Sequence, residues 1–150
     1  MIMKAILKIS VLIFLLTGMV SECQSSPTSG DHPTKLTTLI ADADHIVVTN
    51  RLGHAPPKLA GFSLTISGDE ARKIVRAVTS ARFMCAPPCT DSGFGWDLGF
   101  YRGTNFLTVV HMQSHVFVFG SVNKGEEYSD DTGVLEQLNR DLYKRTGSQF

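Results

Sequence analysis

The sequence carries no excess of either charge, and this limits the partners it can attract. Among 150 residues, Lys and Arg total 14, and Asp and Glu also total 14. No net field would draw the chain to nucleic acid, and its basic residues are dispersed, so we expect no nucleic-acid partner. Internal repeats, a G-x-S-x-G nucleophile elbow and an HExxH metal helix are also absent. What remains is the composition of one ordinary globular domain.

A hydrophobic run long enough to cross a bilayer is not seen at the N-terminus. The apolar stretch from Ile9 to Val20 falls short of the about 20 residues that a membrane-spanning helix needs. Lys4 and Lys8 precede it and a polar segment follows it, an order typical of a secretory signal rather than of a buried N-terminal helix. We therefore predict three segments: a signal peptide over 1–25, a flexible linker over 26–34 and a single domain over 35–150.

The residues at the end of the predicted signal leave two cellular locations open for the protein. Ser21 and Ser25 each offer a small residue for cleavage, and Cys23 between them raises the alternative of a lipid-modified cysteine. Lipoprotein signals place a small residue before that cysteine, whereas this chain has Glu22, which disfavours lipidation. We expect export to the periplasm or the extracellular space, with membrane anchoring only if Cys23 is lipidated.

The rest of the chain shows the periodicities of an α+β protein. Alternating or β-branched segments predict strands, apolar residues three and four apart predict helices, and Ser67 to Glu70 has the form of a capping box. The predicted strands are 44–50, 62–67, 94–101, 106–111 and 115–120; the predicted helices are 34–41, one from Ser67 to near Arg82, and one from Ser129 to Gly147. We predict a two-layer α+β domain in which two helices cover one face of an antiparallel meander sheet of about five strands.

Cysteine is scarce, and two of the three cysteines enclose Ala-Pro-Pro. Cys85 and Cys89 have three residues between them rather than two and precede a strand, which disfavours a redox pair. With His111 and His115 they could form a zinc site, but the two pairs are far apart in sequence, and the histidines share a face only across a three-residue turn. We favour a Cys85–Cys89 disulfide worth about 2 kcal/mol, and we predict no metal and no cofactor.

The same histidines suggest an alternative function. Asp97 lies on a neighbouring predicted strand and could orient either histidine, and Ser114 would complete a triad-like set of residue types. Histidines at hairpin ends are usually half-exposed surface residues, so catalysis is the alternative and not the main hypothesis. That alternative is a histidine- or metal-dependent hydrolase using His111, His115 and Asp97.

A group of carboxylates precedes the last predicted helix. Glu126, Glu127, Asp130 and Asp131 do not have the spacing of a calcium-binding loop. Carboxylates are favourable at helix N-termini, so we predict that these four lie on a solvated surface at the start of the helix.

Aromatic residues supply the candidate binding surface. Trp96 and Phe100 share the apolar face of their predicted strand and should enter the core, whereas Tyr101 points the other way beside Arg102. A second contact surface is the proline-stiffened loop that contains His54 and Lys58. The candidate binding residues are therefore Tyr101, Arg102, His54 and Lys58.

The cysteine loop, the Trp-containing strand and Phe-Tyr-Arg-Gly at 100–103 resemble small exported bacterial proteins that carry no assigned activity. The resemblance covers about the C-terminal half and transfers no functional residue. We therefore predict a small exported binding domain without catalytic machinery. A protein partner is favoured over a small molecule, because no pocket-building motif is visible.

Overall fold

A computed structural model describes residues 34–50, 61–88, 95–121 and 124–147 of the chain. All of them belong to one compact unit, Asp31–Phe150. The helices are α1 (Thr34–Ile40), α2 (Gly68–Thr79) and α3 (Val134–Thr146). The strands are β1 (His45–Asn50), β2 (Ser63–Ser67), β3 (Arg82–Cys85), β4 (Trp96–Arg102), β5 (Asn105–Gln113), β6 (Val116–Phe119) and β7 (Glu126–Ser129). None of the described helices is long and apolar enough to span a membrane.

The strands form one antiparallel sheet in the order β2-β1-β4-β5-β6-β7-β3. The predicted α+β class and meander are confirmed, with β5 at the centre of the sheet. The sheet has seven strands rather than about five, because β3 and β7 add a second edge beyond the predicted hairpins. Helix α2 connects β2 at one edge to β3 at the other.

One face of the sheet, the core face, packs against the helices. The buried apolar side chains of the sheet lie on this face and form one cluster with buried residues of all three helices, where two helices were predicted to cover it. Trp96 and Phe100 are fully buried, as predicted, and the Trp96 ring makes an edge-to-face contact with Tyr143 of α3. Burial of each large side chain contributes about 1.5–3 kcal/mol, so this face supplies most of the stability of the fold.

The carboxylate-rich segment before α3 differs from its prediction. Glu127 is fully buried in β7, and Ser129 lies in the same strand instead of starting the helix. Helix α3 begins at Val134, after Gly133 in the left-handed conformation with φ of 78°. Asp130, also buried, accepts hydrogen bonds through Oδ2 from the Leu135 backbone N–H at 2.8 Å and through Oδ1 from the Thr132 backbone N–H at 2.9 Å. The prediction of four solvated carboxylates was therefore wrong for Glu127 and Asp130.

The boundaries of α2 also shift. Ser67 is the N-cap residue, but its side chain makes no capping hydrogen bond, so the predicted capping box does not form. The helix ends at Thr79 and not near Arg82, because the chain turns at Ser80 and enters β3.

The β5–β6 turn is shorter than the Met112–Ser114 turn that a shared histidine face requires. Gln113 pairs directly with Val116, which leaves only Ser114 and His115 in the turn, and Ser114 adopts a left-handed φ of 58°. Strand β5 therefore continues two residues beyond His111, and His115 lies in the turn instead of starting β6.

Candidate functional site on the open face of the sheet

The face opposite the helices, here called the open face, carries the polar and aromatic side chains that alternate with the core residues of β1, β4 and β5. Side chains alternate between faces along a strand, so residues that alternate with the buried ones belong to it. On β4 these are Asp97, Gly99 and Tyr101, between the buried Trp96, Leu98 and Phe100. The register adds partners on each side: His45, Val47 and Thr49 of β1, and Phe106, Val109 and His111 of β5.

Three rings on the open face form what we call the aromatic cluster: His45, Tyr101 and Phe106. His45 and Tyr101 are direct cross-strand partners, and their rings stack at 5.3 Å with an interplanar angle of 14°. Tyr101 is also paired with Phe106, and these rings meet edge-to-face at 5.4 Å. Phe106 is 56% exposed. The cluster therefore presents a large apolar ring to solvent while its neighbours hold that ring in place.

Gly99 explains how the rings lie so close to the sheet. A Cβ atom at this position would lie 3.1 Å from Cε2 of Tyr101 and 3.7 Å from Cε2 of Phe106. Because glycine has no Cβ, both rings can rest over the backbone of β4.

Asp44 forms hydrogen bonds at one end of the aromatic cluster. Its Oδ2 accepts a hydrogen bond from the Gly103 backbone N–H at 2.7 Å, and its Oδ1 lies 2.5 Å from Nδ1 of His45. The backbone hydrogen bond from Gly103, followed by the one from His45, lowers the pKa of the Asp44 carboxyl below its ordinary 3.8. The carboxylate thus ties the β4–β5 turn to the start of β1 and orients the His45 ring.

Two of the predicted binding residues lie at this end of the sheet. Tyr101 belongs to the aromatic cluster, and the exposed guanidinium of Arg102 donates to Oδ2 of Asp42 at 3.2 Å. His54 and Lys58, the other two candidates, lie outside the described residues.

The open face also holds a carboxylate–imidazole pair. Asp97 and His111 are direct cross-strand partners, and Oδ1 of Asp97 lies 2.6 Å from Nδ1 of His111. The side chain of His111 is 21% exposed and that of Asp97 is 26% exposed. The predicted orientation of a histidine by Asp97 is therefore formed with His111. Since Nδ1 faces the carboxylate, Nε2 is the nitrogen left to meet a ligand.

The other members of the predicted hydrolase site lie elsewhere. The cross-strand partner of His111 on β6 is Val118, so His115 does not face it. His115 is exposed in the turn, and its backbone oxygen accepts from the Asp130 N–H at 2.8 Å. Within 34–50, 61–88, 95–121 and 124–147, no three His, Cys, Asp or Glu side chains come together as a metal site. The described part of the chain therefore brings together Asp97 and His111 but not His115.

Strand β3, which contains Cys85, forms the edge of the sheet opposite β2. Cys85 ends β3 half-buried, directly across from the fully buried Glu127 of β7. Arg82 at the start of β3 donates Nε–H to Oδ2 of Asp131 at 3.1 Å, and this bond, followed by one from Ser129, lowers the pKa of Asp131. Cys89, the predicted partner of Cys85, lies outside the described residues.

A groove of about 540 Å³ lies on the helical side, between α2 and α3. Its lining includes the carboxylates Asp69, Glu70 and Asp141 and the apolar residues Ile74 and Leu138. Asp69 and Glu70 occupy the first turn of α2, where the helix dipole already accounts for carboxylates. The groove therefore offers a weaker argument for a site than the open face does.

Sequence reasoning found Tyr101 but missed its partners His45 and Phe106. A signal for Phe106 was present in the short gap, residues 102–105, between the predicted strands 94–101 and 106–111. A two-residue turn pairs Arg102 with Asn105 and therefore brings Tyr101 next to Phe106. His45 had no such local signal, because the β1–β4 pairing joins segments more than fifty residues apart at this point.

The chain matches no family model, no curated protein and no solved structure.

Proposed function

We propose that this chain is a small exported binding domain that contacts a protein partner through the aromatic cluster. The observation that carries the proposal is the exposure of Phe106, 56%, on a strand whose other large side chains are mostly covered. Aromatic residues and arginine are enriched in protein interfaces and dominate their binding energy. Tyr101 and Phe106 provide aromatic rings in direct contact, and Arg102 follows Tyr101 at the end of β4.

The contacts within the cluster also favour binding. Tyr101 is held between the rings of His45 and Phe106, and Asp44 holds His45 in turn. Side chains that are already ordered lose little conformational entropy when a partner arrives. The balanced charge of the chain further suggests that ring contacts, and not a long-range field, provide the affinity.

The test is quantitative cross-linking of the tagged protein in its native envelope, comparing wild type with Phe106→Ala and Tyr101→Ala. We expect recovery of a specific partner protein to fall about tenfold or more in both variants, as for central interface residues. Leu39→Ala is the matched control, because Leu39 is an exposed apolar residue of α1 on the helical side. Equal losses in Leu39→Ala, or no loss in Phe106→Ala, would contradict the proposal.

We also propose export and a Cys85–Cys89 bridge. Two observations support this: the segment before residue 26 has the pattern of a signal, and Cys85 ends β3 only a short, proline-containing stretch before Cys89. Intact mass of the native protein under non-reducing conditions, with and without thiol alkylation, tests both points. A mass that retains residues 1–25, or two alkylated cysteines without prior reduction, would rule the proposal out.

A tether through Cys23 is the alternative location. Glu22 before Cys23 argues against it, and Cys23 lies outside the described residues. A lipid adduct on Cys23 in the same mass measurement would establish anchoring, whereas an unmodified N-terminus beyond residue 21 would exclude it.

The Asp97–His111 pair favours a second candidate function, a histidine-dependent hydrolase. A carboxylate on Nδ1 orients an imidazole to act as a general base through Nε2. Since His115 lies apart from the pair, we now assign the base to His111 alone.

A panel of acyl esters and amides tests this candidate, with His111→Gln and Asp97→Asn as variants and His115→Gln as the matched control. Hydrolysis that falls about a hundredfold in the first two variants and is unchanged in the third would support it. Turnover that is absent in wild type, or lost equally in His115→Gln, would exclude it.

A further inference from the structure

The two edges of the sheet are protected to different degrees. Edge strands expose unpaired backbone groups, and monomeric proteins usually protect them with charges, prolines or bulges. Strand β3 has all of these features: Arg82 at its start, a register shift between Phe83 and Cys85, and Pro87 and Pro88 just beyond its end. Strand β2, with the sequence Ser-Leu-Thr-Ile-Ser, has no charge, no proline and no register shift against β1.

The outer side of β2 has no strand beside it in the described part of the chain. The strand pairs with β1 along its whole length, from Ser67 opposite His45 to Ser63 opposite Thr49. Its open-face side chains, Ser63, Thr65 and Ser67, are all exposed, and Leu64 on the core face is only half-buried. Among the described residues, the open-face side chains of β2 are therefore exposed, and part of an apolar side chain is left uncovered.

The sequence of β2 is also symmetric about its centre. If a second copy pairs antiparallel around Thr65, Thr65 faces Thr65 of the other copy, Ser63 faces Ser67, and Leu64 faces Ile66. Hydroxyl residues then oppose hydroxyl residues on the open face, and aliphatic residues oppose aliphatic residues on the core face. Cross-strand pairs of these kinds are favourable in antiparallel sheets. A two-fold axis requires a surface that is complementary to itself, and this strand provides one.

From the uncharged edge and its symmetric sequence, we propose that β2 pairs with β2 of a second copy about a two-fold axis at Thr65. The two seven-stranded sheets become one continuous antiparallel sheet. An interface built on one short strand per copy lies well below about 1,200 Å², so the dimer is weak and depends on concentration. The aromatic cluster is not part of this contact, and the dimer therefore presents two copies of it.

Charge placed on the axis tests the proposal. In Thr65→Lys, and equally in Thr65→Glu, each copy brings the same charge directly opposite itself, and dimerisation should weaken about fivefold or more. An equimolar mixture of the two variants places Lys opposite Glu and should restore the dimer. Position 65 is exposed and faces the uncharged Val47 on β1, so each folded monomer can accommodate either residue.

Ser63→Lys is the matched control on the same strand and face. In the proposed register the substituted side chain faces Ser67 of the other copy. The two introduced ammonium groups are then about 14 Å apart, beyond the screening length of about 8 Å at physiological salt. Ser63→Lys should therefore dimerise like wild type. Circular dichroism and thermal melting of every variant at low concentration verify folding.

Sedimentation equilibrium up to about 1 mM provides the measurement, since weak interfaces need high concentration. The expected result is a wild-type monomer–dimer equilibrium, dissociation constants about fivefold or more higher in the two single variants, and a near-wild-type constant in their mixture. A wild type that stays monomeric throughout would overturn the proposal, including the case in which β2 binds an extended peptide of another protein instead. Thr65→Lys dimerising like wild type, or Ser63→Lys failing to dimerise, would overturn it as well, since another surface or register would then form the contact.

Discussion

A buried hydrogen bond between β4 and α3 allows a stability prediction with a defined magnitude. The indole Nε1–H of Trp96 donates to Oδ1 of Asn139 at 3.2 Å, and the two residues are 0% and 3% exposed. Asn139→Leu keeps a side chain of similar size but removes the acceptor. A buried donor that loses its partner costs about 1–3 kcal/mol, and the added apolar contacts of leucine offset part of that. We expect a net loss of about 1–2 kcal/mol.

The loss should appear in thermal and chemical unfolding. For a domain of this size, 1 kcal/mol corresponds to about 3–6 °C in Tm, so Asn139→Leu should melt about 3–12 °C below wild type. Urea titration should show a lower midpoint with an unchanged slope. Gln137→Leu is the control: it replaces an exposed amide on the same helix and should change stability by less than about 0.5 kcal/mol.

A double-mutant cycle separates the hydrogen bond from packing. Trp96→Phe removes the donor and leaves the buried Oδ1 of Asn139 without it, so in that background Asn139→Leu should stabilise the protein or cost nothing, because it removes the acceptor that lost its donor. A loss of the same size in both backgrounds would show that Asn139 acts through packing, and the reasoning from the hydrogen bond would be refuted.

Three further predictions concern the pH dependence of stability, through Asp44 and Tyr128, and the close backbone approach at Gly95. Because its hydrogen bonds lower the pKa of Asp44 below 3.8, wild type should lose stability as pH falls through that lowered pKa, and Asp44→Asn should lose less between about pH 5 and pH 2. Burial and a hydrogen bond to a neighbouring carboxylate raise the pKa of Tyr128 above 10.0, so stability should fall above that pH, and less so in Tyr128→Phe. A Cβ at Gly95 would lie 2.5 Å from the Met112 backbone oxygen, so Gly95→Ala should cost about 1–3 kcal/mol.

Each of these predictions has a direct check. Melting temperature against pH measures the first two; identical acid profiles for wild type and Asp44→Asn would refute the first. Burial also raises the pKa of Tyr143, so Tyr128→Phe should remove only part of the alkaline loss, and an unchanged alkaline profile would refute the second. Urea unfolding measures the third, and Gly95→Ala as stable as wild type would contradict it.

The predicted elements that the structure confirms have strong internal patterns. Helix α2 was predictable because Ala71, Ile74 and Val78 recur at helical spacing and are all buried. Strand β4 was predictable because Trp96 and Phe100 alternate with residues of the other face. Both patterns lie within one segment, so no knowledge of tertiary partners was needed.

Strand β7 was missed because its sequence contains residue types that are rarely buried in a strand. Glu-Glu-Tyr-Ser has two carboxylates, and carboxylates are rarely fully buried. Glu127 is nevertheless fully covered in the sheet, between Val118 on β6 and Cys85 on β3. Because β3 pairs with a strand more than forty residues away, no local pattern could have identified this edge of the sheet.

The turn between β5 and β6 was misplaced because the sequence gives no turn signal there. Left-handed positions usually attract glycine or asparagine, whereas this turn uses Ser114 with φ of 58°. An error of one residue in a hairpin moves a side chain to the opposite face. That error decided whether His111 and His115 could share a site, although the Asp97–His111 pair was predictable from the strand assignment.

The separation of roles between the two faces bears on function. Along β4, buried side chains alternate with side chains that would meet a partner. The buried Leu98 and Phe100 therefore anchor the backbone that carries Asp97 and Tyr101 on the opposite face. Gly99 has no side chain to stabilise the strand, which costs about 0.5–1 kcal/mol relative to alanine. Because it also has no Cβ, the rings of Tyr101 and Phe106 can rest on its backbone. A site on rigid strands keeps its geometry, and substitutions at its exposed rings remove little core. Loss of binding without loss of folding is therefore what the aromatic cluster should show if recognition is its role.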